Sequence, residues 1–281
     1  MHMPKAPTAR SAALASWLRE LRTTRTKMST TDVAEELGPG WNQSKVSRIE
    51  TARIGLSRED LDQLLDLYGT PSDARALLAQ LHQDAERRGW WTEYGDIWGD
   101  NPYLALEDLA GLILEWQAQN IPGLLQTSAY AHAVINAANP NADQTQVEML
   151  VRARLARKPL LERANPPTMH AIIDEAAFRR GMADPSVMVP QVRALLDMPD
   201  HVSVRVLPFA ARWHAGTDSS MTILSFGPGL LDKPYIEGVG GALYIESATG
   251  IARCREVWTA LDASALSRED TREWMSLLLE E

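Results

Sequence analysis

Apolar residues recur at helical spacing through the first third of the chain. Leu14, Trp17, Leu18 and Leu21 stand at i, i+3, i+4 and i+7. That spacing predicts a helix from about Ser11 to Thr24 with one buried face. Ser29-Thr30-Thr31-Asp32 has the spacing of a capping box with an acid in the last place, so a second helix starts there with Val33, Ala34 and Leu37 turned inward. Gly38-Pro39-Gly40 ends it. The stretch from Asn42 to Glu50 follows. At 100° per residue, Val46 and Ile49 share one face. Ser44, Ser47 and Arg48 fall opposite, with Gln43 and Lys45 at the flanks. Asn42 is a good N-cap. Ser57-Arg58-Glu59-Asp60 caps another helix with Leu61, Leu64, Leu65 and Tyr68 on one side, and Gly69-Thr70-Pro71 closes it. Ser72 predicts the cap of a further helix running to about Arg88.

An aromatic-dense stretch, Gly89 to Trp98, comes next. Helices are expected at about 103–119, 128–138 and 143–164. From Pro166 the texture changes. Met169–Ile173 and Val202–Leu207 have the composition of buried strands, and Met221–Phe226 and Tyr235–Val239 that of hairpin strands. Helices at 175–180 and 186–196 lie between the first two, and Arg253–Leu261 and Arg268–Leu279 close the chain. The fold class expected is mainly α with an α+β C-terminal part. A helix-turn-helix bundle precedes a larger helical and α/β domain. Four segments are expected: a flexible arm at 1–10, the bundle at 11–70, a linker helix and aromatic segment at 71–100, and a regulatory and dimerisation domain at 101–281.

Charge changes this picture more than composition does. The 281 residues carry a net −9. Residues 1–58 nevertheless hold 10 Lys and Arg against 5 Asp and Glu, whereas the remainder holds 18 against 32. A small basic head thus precedes an acidic body that would repel a polyanion. With Cys254 the only cysteine, an intrachain disulfide is excluded, as is a cysteine-based zinc site. No apolar run reaches membrane-spanning length, and the N-terminus lacks a signal-peptide core. A cytoplasmic protein is expected.

The polar face of Asn42–Glu50 carries amide, hydroxyl and guanidinium groups where a solvated helix would carry Glu and Lys. Such groups hydrogen-bond base edges and phosphates. NQSKVSRIETAR behind a capped TTDVAEEL helix resembles the Xre-type helix-turn-helix repressors over residues 11–70. The Gly38–Asn42 turn is about two residues longer than in the shortest phage versions, which alters the entry of the second helix. Ile121–Tyr130, Arg152-Ala153-Arg154, Asp174–Arg179 and Val206–Phe209 extend the likeness. They resemble actinobacterial, antitoxin-like regulators with a C-terminal domain of poorly defined function. The resemblance implies a DNA-binding regulator, sometimes with a small acidic protein encoded alongside, and supplies no ligand. A single head buries too little surface for operator-grade affinity, so a homodimer on an inverted-repeat operator is expected. The C-terminal domain is expected to sense a small-molecule effector or a partner protein; the alternative is an antitoxin-like protein that binds a small acidic partner, with DNA binding as autoregulation. By position, Gln43, Ser44 and Arg48 become base readers. Thr30, Thr31, Lys45, Ser47 and Arg53 become phosphate contacts, and Glu50 takes a structural role such as pairing with a neighbouring arginine.

The remaining chemistry is sparse. Trp90, Trp91, Trp98 and Trp116 either wall a ligand pocket or glue the linker to the following domain. Trp41 either packs under the turn or stacks on a base. Gly227-Pro228-Gly229 and Gly238–Gly241 suit hairpin turns better than a phosphate cradle. Asp174 and Glu175 are adjacent carboxylates at a strand end, one of them a candidate helix cap. The six histidines show no metal spacing. Cys254, between Arg253 and Arg255, is either a redox-sensitive thiol or a buried inert one. Neither an enzyme nor a cofactor is expected.

Overall fold

The computed structural model describes residues 8–85, 90–94, 97 and 102–281. The expected flexible arm, with Lys5, falls mostly outside these residues. The chain forms two compact units, Met1–Leu109 with Phe226–Leu231, and Ala110–Ser225 with Asp232–Glu281.

Short helices build the first unit. Thr8 caps α1, Ala9–Leu21, whose hydroxyl accepts from the Ser11 N–H. Leu14, Trp17, Leu18 and Leu21 are all buried, as their spacing requires. The helix then widens into a π turn, Arg22–Thr26, and stops at Lys27 in the left-handed region (φ 58°). Both halves of the Ser29–Asp32 capping box form at the start of α2, Thr30–Leu37. α3 is Gln43–Ile49, capped by Asn42, and α4 is Arg58–Leu67, capped by Ser57. α5 is Ser72–Asp84. Here Pro71, not Ser72, holds the cap position, and no side chain caps the helix. The Ser72 hydroxyl turns to Asp73 instead. α6, Tyr103–Leu109, packs on α1. The Phe226 ring meets Trp17 edge-on at 4.7 Å within this unit.

A buried ion pair ties the head together. Arg22 Nε and Nη2 donate to the two Glu50 carboxylate oxygens at 2.6 and 2.7 Å, and Nη1 donates to the Met28 carbonyl at 2.7 Å. The hydrogen bonds to Glu50 hold the Arg22 guanidinium above its ordinary range. Burial pushes the neighbouring Tyr68 hydroxyl well above the usual phenol range. The pairing anticipated for Glu50 is therefore met by an arginine 28 residues earlier.

The second unit is α+β, with a six-stranded mixed sheet in the order β3-β2-β1-β4-β5-β6. The strands are β1 Leu112–Gln117, β2 Thr168–Asp174, β3 Val202–Leu207, β4 Met221–Ser225, β5 Lys233–Gly238 and β6 Gly241–Tyr244. β1, β2 and β3 are parallel, and β4 to β6 run antiparallel to their neighbours. The helices are α7 Ser128–Ala138, α8 Gln144–Leu155, α9 Pro159–Glu162, α10 Glu175–Gly181, α11 Pro185–Leu196, α12 Ala248–Ser264 and α13 Arg268–Leu278. Asp174 caps α10 by accepting from the Ala176 N–H at 2.8 Å.

Two expectations need correction. The helix read at 103–119 is α6 followed by β1. The run Leu112-Ile113-Leu114-Glu115-Trp116 is buried on both faces, and a short continuous apolar run does not separate helix from strand by period. The helix read at 143–164 ends at Leu155, and Pro159 opens the separate single turn α9, because proline has no N–H to continue the ladder.

The core of the sheet gathers around Trp116, which is fully buried with Leu114, Ile172, Ile223, Trp258 and Leu261. Its Nε1 donates to the Gly216 carbonyl at 3.0 Å. A Cβ on Gly216 would lie 2.6 Å from that nitrogen, and the indole is held too firmly to yield. Gly216→Ala is expected to destabilise the chain by about 1–3 kcal/mol, the usual range for overpacking. Glu50→Ala, which strands the Arg22 charge, is expected to cost about 3–5 kcal/mol. Equilibrium denaturation by urea checks both.

Candidate nucleic-acid interface

α3 is built to be anchored on one side and read on the other. Val46 and Ile49 are buried at 1% and 3% exposure, and Glu50 just after them makes the Arg22 pair. That fixes which face points out. Gln43, Ser44 and Arg48 are exposed on it, beside the exposed cap residue Asn42. The Asn42 Oδ1 accepts from the Lys45 N–H at 2.8 Å. The remaining free N–H groups and positive end of the helix thus sit beside these side chains. Arg48 Nε makes a long contact of 3.3 Å to the Ser44 carbonyl, its own preceding turn.

The expected phosphate contacts differ in exposure and in freedom. Thr31 is exposed and Thr30 half-buried in the first turn of α2, and Arg53 is exposed in the loop after α3. Ser47 is half-buried. Lys45 is already engaged. Its Nζ lies 2.8 Å from Asp60 Oδ1 and 4.0 Å from the centre of the Trp41 ring. Trp41 Nε1 in turn donates to Gln63 Oε1 at 2.8 Å. Trp41 therefore serves as a packing residue that links the turn to α4 and holds Lys45. Asp60 was legible only as a capping residue of α4. Its second role depends on how α3 and α4 pack, which no local signal carries.

Trp98 and the side chain of Trp90 lie outside the described residues. Trp91 is buried in the first unit with the Arg10 guanidinium 5.1 Å over its ring, and Trp116 belongs to the core of the second. Burial pushes the Cys254 thiol upward, and Arg253 only opposes that. A thiol so placed is less reactive, which disfavours the redox reading. Among the described residues no group of three or more His, Cys, Asp or Glu is arranged to hold a metal ion. No described helix is long and apolar enough to cross a membrane.

Two family models match the chain. A helix-turn-helix domain covers residues 13–78, and a domain of unknown function, DUF5753, covers residues 101–276. No curated protein and no solved structure matches. The first match coincides with the capped helices whose exposed face has just been described, and the second takes in the whole mixed sheet. The chain belongs to the family of that domain of unknown function, DUF5753, and carries a helix-turn-helix domain in front of it.

Proposed function

We propose that the protein is a sequence-specific transcriptional regulator of the Xre type, resembling the actinobacterial antitoxin-like regulators. Its head reads the major groove of an operator with α3. Its second unit supports dimerisation and receives a signal, a small molecule or a partner protein. One observation carries this reading. The face of α3 opposite the buried Val46 and Ile49 presents a hydroxyl and a guanidinium, at Ser44 and Arg48, with the exposed amide of Gln43 at its flank. Gln pairs in a bidentate way with adenine and Arg with guanine. Thr30, Thr31, Lys45, Ser47 and Arg53 then set register on phosphates. A single head of this size buries too little surface for operator-grade affinity at physiological salt, which favours a homodimer on an inverted repeat. An acidic body suppresses non-specific binding and leaves contact to the head.

Binding of the full chain to genomic fragments that include its own promoter, measured across salt concentrations, tests the proposal. Selective, salt-sensitive binding with a two-fold symmetric footprint is expected. Unselective binding at every salt would overturn it. Arg48→Ala is expected to cost about 1–3 kcal/mol of discrimination at one base position of each half-site. Lys45→Ala is expected to weaken binding to all sequences alike and to lower the salt slope by about one. Asp60→Asn acts in the opposite direction. It releases Lys45 and removes a negative charge near the DNA, so affinity rises about two- to fivefold on every sequence, the scale of a partly exposed ion pair. Competition titrations with operator and scrambled duplexes separate these three signatures.

A further inference from the structure

β1 and β2 are parallel neighbours in the sheet of the second unit. Open sheets of this kind take ligands in the crevice beyond the carboxyl ends of their parallel strands. The chain leaves β1 through Gln119 and Asn120, and it leaves β2 directly into α10. Both exits border one cleft of about 540 Å³. Asn120 lines it from the first exit, and Ala177 and Arg180 line it from the second. Val134 and Ala137 of α7 and Val187 of α11 complete the walls. That volume suits a small molecule.

Buried polar side chains fasten these walls together. Tyr130 of α7, at 5% exposure, also lines the cleft, and its hydroxyl accepts from the Ile121 N–H at 3.1 Å. Gln126 donates to the Ile121 carbonyl at 2.7 Å. Gln191 of α11 accepts from the Thr127 N–H at 2.7 Å and donates to the Leu125 carbonyl at 2.8 Å. Both glutamines are buried. The loop after β1 is thus tied to α7 and to α11, and the cleft is formed before any ligand enters. Its α7 wall is made of small side chains, with Ala133 and Ala137 exposed one turn apart.

The polar groups on the cleft have donors to spare. Among the described residues nothing accepts the Tyr130 hydroxyl proton, and the half-buried Asn120 amide makes no hydrogen bond. Arg179 is spent on Glu175 and Glu281, whereas the adjacent Arg180 has no ion pair among the described residues. The one carboxylate among the described lining residues, Asp184, already accepts from the Ser186 hydroxyl at 2.7 Å. A guanidinium, a phenol proton and an amide N–H call for an acceptor, and the planar fork of arginine matches the two oxygens of a carboxylate. The alanine and valine walls call for a hydrocarbon.

We propose that this cleft binds a small apolar carboxylic acid, with its carboxylate on Arg180 and its hydrocarbon against Val134, Ala137 and Val187. The site deepens the regulator reading by naming the class of effector, and it rests on that reading only for the consequence of binding.

Saturation-transfer NMR on the full chain tests the site without DNA. The probes are hexanoate, its neutral counterpart hexanamide, and acetate, which has the charge without the hydrocarbon. Hexanoate is expected to bind about tenfold more tightly than hexanamide, the scale of a hydrogen bond to a charged group, and acetate to give no signal. Arg180 and Ala137 are both exposed, so substituting either leaves the core intact. R180Q is expected to bring hexanoate down to the level of hexanamide. A137F, which fills the cleft, is expected to lose both. R193Q, an exposed charge of α11 that does not line the cleft, is expected to bind as the wild type does. The site is overturned if hexanoate does not bind, if it binds no better than hexanamide, if R180Q keeps the preference, or if A137F keeps full affinity. Operator binding is read separately on the same proteins. Acid binding without operator binding would overturn the regulator alone. Operator binding without acid binding would overturn the site alone.

Discussion

The orientation of a seven-residue helix is the constraint on which the head depends. A helix that short is not stable by itself in water, because its few hydrogen bonds do not repay nucleation. α3 exists because the rest of the bundle holds it. Val46 and Ile49 supply the apolar anchorage. The two-pronged contact between Arg22 and Glu50 supplies direction, since a guanidinium and a carboxylate bonded at both oxygens leave little rotational freedom. Arg22 stands where α1 widens into its π turn, and its third contact, to the Met28 carbonyl, reaches the connection to α2. One arginine thus fixes the end of the first helix, the approach to the second and the close of the third. What is left facing outward is the polar set that a nucleic acid can read.

The interface is also restrained. Lys45 stands in the first turn of α3, where it is shared between the Asp60 carboxylate and the Trp41 ring. Phosphates would have to compete for it. Such a competition trades raw affinity for selectivity, because sequence-independent binding is carried by freely available cations. The charge division along the chain has the same sense, with a surplus of basic residues confined to the first 58 positions.

The second unit is governed by β1. It lies between a parallel neighbour and an antiparallel one, and its alternate side chains meet two environments. Leu114 and Trp116 enter an apolar core. Glu115 and Gln117 face the other way, and the Gln117 Nε2 donates to Glu115 Oε1 at 2.8 Å. A charged residue buried on a central strand lowers stability unless neighbours or a ligand compensate. Glu115 is met there by the Gln117 amide on its own strand.

Much of this was legible in the residues. Capping side chains act within three or four positions, so Ser29, Asn42 and Ser57 announce α2, α3 and α4 before any packing is known. The 3.6-residue period likewise names Val46 and Ile49 as buried and Gln43, Ser44 and Arg48 as outward, which is most of the candidate interface. Local patterns reach no further than this. The strand nature of Leu112–Gln117 was hidden, because an apolar run buried on both faces has no period and only its pairing with β2 and β4 makes it a strand. The partner of Glu50 lies 28 residues away and that of Lys45 15, so which basic and acidic groups meet was decided by helix packing alone. Arg154 reads in the sequence as half of a charged pair on a helix. Only the tertiary structure separates it from Arg152, because one is exposed and the other is half-buried against the Gln126 amide.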